Sequence, residues 1–332
     1  MVKTLDKAYT VESKTLDSVL AYWQRNGNSI SWRCLFVLPV WLNAWWNSFE
    51  QNHDLYLLSI RHANRTIGFA PLQRKEDTVR LIGDKNVCDH LDFIVAPEKT
   101  SDFFFILIHH LQEKGVKRLI LEPIRPDSSI FTSLIPAAEK AGCKISYESN
   151  DVSFELKLPN SWGAYLSMLS GKERHEIRRK LRRLHEAGQV EYRLVDDPYM
   201  VKKEMETFLT LFRSNRPDKA DFMNDRMNSF FKRLAAALAV ARILKLFFLD
   251  LDGRSIASTM CFDYQSTMYL YNNGYDHQFS SLSVGVISKV LSIKESIQTG
   301  KHKYDFLKGA ENYKHRLGGQ PVQLYRCQIE LA

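Results

Sequence analysis

Residues 269–319 read YLYNNGYDHQFSSLSVGVISKVLSIKESIQTGKHKYDFLKGAENYKHRLGG. The aromatic and apolar side chains over 268–272 are strand formers. The Asn, Gly, Ser and Asp residues of 273–283 predict a loop. From Val284 onward, Val286, Ile287, Val290, Leu291, Ile293 and Ile297 recur at helical spacing, and Gly300 supplies the stop. A short strand over 304–307 and a turn at Gly309 then lead into a short helix over 310–316. A helix that opens in a Ser/Gly loop presents unpaired N–H groups and a partial positive charge to whatever lies there. Ser281, Ser283 and Gly285 keep that opening small enough for a phosphate to approach. This stretch is where the chemistry is expected.

Working outward, the same order of elements stands earlier in the chain. Helices are predicted over 15–25 and 40–50, the second following Pro39, with Trp41, Trp45 and Trp46 as a core-facing aromatic stripe. A hairpin follows over 55–74, turning at Ala63-Asn64-Arg65, then strands over 78–82 and 91–95. A helix over 103–113 stops at Gly115 before a strand over 117–122, a helix over 130–140 and a strand over 143–148. The later half repeats this with a hairpin over 244–262, a strand over 268–271, the helix from Val284 and the strand over 304–307. Arg65-Thr66-Ile67 stands 254 − 65 = 189 residues before Arg254-Ser255-Ile256, and Gly115 stands 300 − 115 = 185 before Gly300. A hairpin, a third strand, a helix, a glycine and a fourth strand, twice at nearly one spacing, predict a duplicated α/β unit.

A chain of 332 residues, 45% of them hydrophobic and 12% aromatic, is long enough for two such units, each with its own core. The net charge of +8 favours phosphorylated or polyanionic partners. Five scattered cysteines with no C-x-x-C fit reduced thiols and speak against a zinc site, so no metal is expected. His109 and His110 are adjacent on a helix and point different ways, so they make no metal pair. Cys88-Asp89-His90 with Asp92 has the composition of a reactive cluster, and Cys261 is read as a buried strand residue. Walker, H-E-x-x-H and G-x-S-x-G motifs are absent. No run approaches 18 apolar residues, so no membrane span is expected. The start, MVKTLDKAYTVES, lacks the apolar core of a signal peptide, which predicts a cytoplasmic protein.

Between the halves lies SMLSGKERHEIRRKLRRLHEAGQV, residues 167–190. Ile177, Leu181 and Leu184 form a narrow apolar stripe, while Lys172, Arg174, Arg178, Arg179, Lys180, Arg182 and Arg183 occupy the other faces. Glu176 can pair with Lys180 at i+4, but most of these cations have no local partner. Two readings stand beside each other: a solvated bridging helix, or a cationic wall for a phosphorylated or nucleic-acid ligand.

The strand, Ser/Gly loop, long helix, strand and tyrosine-bearing short helix resemble the donor-binding core of the GNAT acyltransferase superfamily. More narrowly, WLNAWW, TIGFAPL, ERHEIRRKLRRL, SLSVGV and above all YDFLKGAENYKHRLG resemble the CelD/BcsL-type acetyltransferases of cellulose and exopolysaccharide synthesis. Two tandem halves also resemble the FemABX transferases, which add amino acids from aminoacyl-tRNA to cell-wall precursors. The resemblance implies tandem GNAT-like domains, each a mixed sheet flanked by helices. It implies a degenerate acceptor-side domain over 1–160, a basic linking helix over 161–188 and a donor-binding domain over 189–332.

The resemblance also implies an acyl-CoA cosubstrate, acetyl-CoA first, with no permanently bound cofactor, and a small-molecule or saccharide acceptor bearing an amine or hydroxyl. Two central strands, 268–272 with its Tyr271 and Asn272, and 304–307, would splay around the pantetheine arm. The diphosphate would rest on the amides of Ser283, Val284, Gly285 and Val286, helped by Lys308. Gly285 is the sole glycine where the family loop reads Q/R-x-x-G-x-G/A, so acyl carrier protein and aminoacyl-tRNA stay open as donors. Tyr313 matches the tyrosine that protonates the departing thiolate, and Asp305 and Glu311 are candidate bases, directly or through water. Lys314, Arg178 and Arg182 are candidate groups for an anionic substrate. A non-catalytic polyanion-binding module on a degenerate transferase fold is a third reading.

Overall fold

The computed structural model describes residues 8–26, 30–49, 52–215 and 217–331. Its first strand, Tyr9–Ser13 (β1), is followed by two helices, Leu16–Asn26 (α1) and Pro39–Trp46 (α2). Pro39 opens the second without losing a hydrogen bond, because a first-turn amide has no partner within the helix. Trp41 and Trp45 face the core, as their spacing predicts, whereas Glu50 lies outside the described residues. Asp54–His62 (β2) and Arg65–Lys75 (β3) form the expected hairpin, joined on one side by β1. Thr78–Leu81 (β4) pairs with β3, and Ile94–Val95 (β5) adds a short contact to β3. Thr100–Glu113 (α3) buries Phe103, Phe104, Ile106, Leu107 and Leu111, then the chain returns as Arg118–Ile124 (β6), parallel to β4. A π turn and Ile135–Lys140 (α4) lead into Lys144–Lys157 (β7).

The chain divides into two compact units, Met1–Asp151 with Val322–Ala332, and Val152–Pro321. In the second, Trp162–Met168 (α5) and Gly171–Glu186 (α6) precede Val190–Val195 (β8). Pro198–Asn215 (α7), Pro217–Phe222 (α8) and Asp225–Val240 (α9) follow. Leu244–Leu251 (β9) and Arg254–Tyr264 (β10) form a hairpin, turning at Asp252-Gly253, both with positive φ as this dipeptide favours. Thr267–Tyr275 (β11) pairs with β10, Val284–Gln298 (α10) crosses over, and Lys303–Lys308 (β12) returns parallel to β11. Right after α10, Gly300 at φ 71° accepts the left-handed turn that ends it. Asn312–Arg316 (α11) and Gln320–Glu330 (β13) close the chain.

Each unit is a mixed α/β sheet flanked by helices. In unit 2 the strand order is β7-β12-β11-β10-β9-β8, and in unit 1 it is β1-β2-β3-β4-β6-β13. Element by element the duplication holds. A leading strand (β1 or β8), a hairpin (β2–β3 or β9–β10), a third strand (β4 or β11), a helix (α3 or α10) and a parallel fourth strand (β6 or β12) recur.

The sequence expectation of a first domain ending at 160 differs from this division. Residues 153–157 of β7 pair with β12 and so belong to unit 2, while β13 pairs with β6 and belongs to unit 1. The basic helix expected to link the halves lies wholly inside unit 2. There Ile177 joins the core cluster of Tyr304 and Phe306, and Leu184 joins that of Ile256 and Val284. Its apolar stripe is buried, so only one face is left to solvent.

Candidate functional site: a wedge between two strands of unit 2

β11 and β12 pair over three positions only, Thr267↔Lys303, Met268↔Tyr304 and Tyr269↔Asp305. Beyond them β11 stays with β10 as far as Ala257↔Tyr275, and β12 stays with β7 through Leu307↔Phe154 and Lys308↔Ser153. The edge of β11 from Leu270 to Tyr275 therefore faces no strand on the β12 side. Two bulges accompany the parting, at Met260/Cys261 opposite β11 and between Asp305 and Leu307 in β12. Each bends its strand locally, and together they bend the pair apart. In unit 1, β4 ends at Leu81, one residue past its last pairing with β6 at Arg80.

The loop expected over 273–283 is shorter than read. β11 runs on to Tyr275, and a 3-10 turn over His277–Leu282 leads to Ser283, whose φ of 58° and ψ of 34° start α10 without a side-chain cap. The Ser283 amide donates to the Ser280 carbonyl, and the Ser283 carbonyl accepts from the amides of Val286 and Ile287. Of the four amides expected to hold a diphosphate, Ser283 and Val286 are thus used internally. Val284 and Gly285 have amides without a partner among the described residues. Gly285 is required by packing: a Cβ there would stand 2.6 Å from Cδ1 of the Tyr275 ring.

Tyr271 and Asn272, expected along the donor, lie on β11, but the Tyr271 ring stacks on Phe231 of α9 with centroids 5.7 Å apart. It also lies 5.0 Å from Phe262, so it serves the α9 side of the sheet. Lys219 of α8 reaches the open edge and donates to the Asn273 carbonyl at 2.5 Å.

Asp305 is 1% exposed, and its Oδ1 accepts from the Leu307 amide at 2.8 Å and the Ser153 hydroxyl at 3.4 Å. Leu307 has φ 60°, so the carboxylate holds the strained bulge residue. A carboxylate bound to backbone within a bulge serves as a positioning group. Lys314 is held in a similar way. It is 1% exposed and donates to the carbonyls of Leu307 (2.9 Å), Lys308 (2.6 Å) and Gly309 (3.0 Å), with Glu311 at 3.0 Å. It clamps the turn from β12 to α11 and has no donor left for an anionic substrate. Lys308 offers its carbonyl to this clamp.

Glu311 sits at the start of α11 with its side chain half exposed. Burial works against its charged form, but the Lys314 and Lys289 ammoniums outweigh it and hold the carboxyl below its usual range. Tyr313 packs edge-on against Phe306 with centroids 6.3 Å apart. Burial, then the neighbouring Glu311 carboxylate, push its phenol well above the ordinary value, so it keeps its proton at any physiological pH.

Beneath the wedge lies a polar layer with little direct signal in the sequence. The Tyr304 and Ser292 hydroxyls are 2.6 Å apart, and Tyr192 and Cys261 border them. Burial pushes the Cys261 thiol up to about 12, which leaves it protonated and rules out a resting thiolate. Burial likewise pushes the Cys88 thiol up to about 12. Lys289 of α10 is 5% exposed. It stands between Val286, Ile287 and Val290, and a lysine on the buried face of an apolar helix was the signal to notice.

On α6, Arg178 is exposed and forms no ion pair among the described residues, and Arg182 lies 3.6 Å from Glu186 with a mostly exposed side chain. Arg179 and Lys180 both pair with Glu176, at 2.6 and 3.6 Å. Unit 1 contains a cavity of about 790 Å³ whose lining includes Lys14, Arg61, His62, Arg65 and Lys99. Among the described residues no group of His, Cys, Asp or Glu is placed to hold a metal, and no helix is long and apolar enough to cross a membrane.

Residues 171–315 match a domain family described as the acetyltransferase (GNAT) domain, and the match contains α6, the wedge, α10 and all but the last residue of α11. Among solved structures, FemX aligns with a TM-score of 0.67 at 12% identity over 96% of both chains. L-PGS from Bacillus licheniformis aligns at 0.59 and 9% identity over 95% of this chain and 92% of its own. The C-terminal domain of a putative lysylphosphatidylglycerol synthetase from Agrobacterium fabrum gives 0.52 at 11% identity, covering 79% and 80%. At such identities the likeness is one of fold, and it spans both units. No curated protein matches by sequence.

Proposed function

We propose that unit 2 is the catalytic half of a GNAT-type acyltransferase that takes an acyl group, acetyl in the first instance, from acyl-CoA to an amine or hydroxyl. The observation that carries this is the open edge of β11 leading to a helix tip with two unpartnered amides. Backbone groups along such an edge can pair with the amides of a pantetheine arm as another strand would. Amides at a helix N-terminus suit a diphosphate. Attack on a thioester builds negative charge on its carbonyl oxygen, and a backbone N–H on the open edge would stabilise that charge. Tyr313, which keeps its proton, would donate a hydrogen bond to the departing thiolate.

For the acceptor, the CelD/BcsL-like motifs favour a saccharide or nucleotide-sugar precursor handled in the cytoplasm. Unit 1, with a cation-lined cavity, suits the acceptor side of the reaction. A second reading has its own observation: the exposed arginines of α6 suit a nucleic acid, so aminoacyl-tRNA is the alternative donor. Titration calorimetry separates them. Saturable acetyl-CoA binding that is lost in Gly285→Val supports the first reading. Binding of aminoacyl-tRNA that falls steeply with salt and is lost in Arg178→Glu/Arg182→Glu, with no heat from acetyl-CoA, supports the second. RNA binding with no transfer from either donor would leave a polyanion-binding module.

A further inference from the structure

Lys289 is a buried cation that packing alone does not explain. Its side chain turns back along α10, donating to the Gly285 carbonyl at 2.6 Å, and its ammonium sits 4.7 Å from the centre of the Tyr313 ring. It thus lies between the first turn of the helix that would hold the donor and the tyrosine that would meet the thiolate. An ammonium has three N–H donors, and here one carbonyl and one ring face are its only partners among the described residues. Among the described residues no carboxylate lies within ion-pair distance of it. A buried cation left so poorly matched is unfavourable unless it can shed its charge.

Every charged neighbour bears on that charge. Burial weighs most and lowers its basicity, Lys219 from α8 and Lys314 from α11 repel a proton on Nζ, and Glu311 at the start of α11 attracts one. The Cys261 thiol of β10 stays neutral. The balance brings the amine down to about 7, where it exchanges protons at working pH.

Resting on the transferase reading above, we propose that Lys289 is the proton acceptor of the wedge, the role that Asp305 does not fill. The neutral Nζ takes a proton from the attacking amine, hydroxyl or water as its bond to the acyl carbon forms. When the carbon–sulfur bond breaks, the electron pair leaves on sulfur and the Lys289 ammonium returns that proton to the thiolate, beside the Tyr313 hydroxyl. Products are the acylated acceptor and free thiol, and Lys289 is regenerated neutral.

The test uses the full chain, acetyl-CoA as donor and water as probe acceptor. Thiol release is followed from pH 5.5 to 9, and the Lys289 resonance is followed by [15N]lysine NMR with Lys289→Met as its assignment. The expected result is a rising limb with a midpoint near 7 that matches the Lys289 titration. In Lys289→Met, release falls roughly 100-fold and the limb disappears, while calorimetric acetyl-CoA affinity stays within about threefold. Lys289→Arg, which cannot give up its charge, is expected not to rescue release. Wild-type release and pH profile in Lys289→Met, or a Lys289 that stays charged through pH 9, would overturn the proposal while leaving the transferase reading intact. A wild-type protein that neither binds nor consumes acetyl-CoA would remove both together.

Discussion

Asp305 and Lys314 stand between Tyr269 and Gly319, and each side chain is turned onto backbone. The strand-and-turn pattern is local and could be read, but a carboxylate or ammonium in sequence carries no sign of what it points at. The bulge at Leu307 decides this, since its left-handed backbone needs an acceptor for its amide. Asp305→Asn keeps an acceptor oxygen. It is therefore expected to lower stability by about 1–2 kcal/mol in urea unfolding and to leave the pH profile of thiol release unchanged. A lost rising limb in that variant would return the base role to Asp305. Lys314→Met strands three carbonyls at the turn, and a loss on the order of 3 kcal/mol is expected by the same measurement.

At the scale of single elements, α10 joins the fold to the chemistry. Its limits, Val284 to Gln298, follow from apolar spacing and a terminal glycine, both plain in the sequence. Its inner face was harder to read, because burial of Lys289 depends on what β10, α8 and α11 bring against it. The proton balance there gives a stability signature. An unfolded chain holds this proton up to the ordinary 10.5, whereas the folded chain releases it near 7. Between those values the unfolded state binds the extra proton, so Lys289 makes stability rise with pH, by up to about 1.4 kcal/mol per unit. Lys289→Met is thus expected to be more stable than wild type at pH 6–7, with the gap closing towards pH 9 in chemical denaturation. A gap that is constant with pH would mean the lysine stays charged. Gly285→Ala drives a methyl into the Tyr275 ring, so a loss of about 1–3 kcal/mol is expected together with weaker acetyl-CoA binding.

Over the whole molecule, the repeated hairpin, third strand, helix and fourth strand could be read from apolar periodicity, glycines and turn residues, because those signals are local, whereas β1, β8, β13 and the helices α5, α7, α8 and α9 were not read. The limits of the two units could not be read. β7 and β13 are consecutive with one unit in sequence and hydrogen-bonded in the other, and strand partnership leaves no local mark. A fragment of residues 189–332 would lack the β7 partner of β12 and the α6 stripe that covers Tyr304 and Val284. It is therefore expected to fail to fold by circular dichroism. A cooperative melt from that fragment would favour the division the sequence implied. The wedge escaped local reading in part as well, since its opening comes from two bulges facing different neighbours. Hydrogen–deuterium exchange with and without saturating acetyl-CoA tests the donor site most directly. Protection confined to residues 270–287 and 305–316 is the expected result, with the amides of Val284 and Gly285 slowed most. Unchanged exchange there, in a protein that consumes acetyl-CoA, would contradict the siting of the donor between β11 and β12.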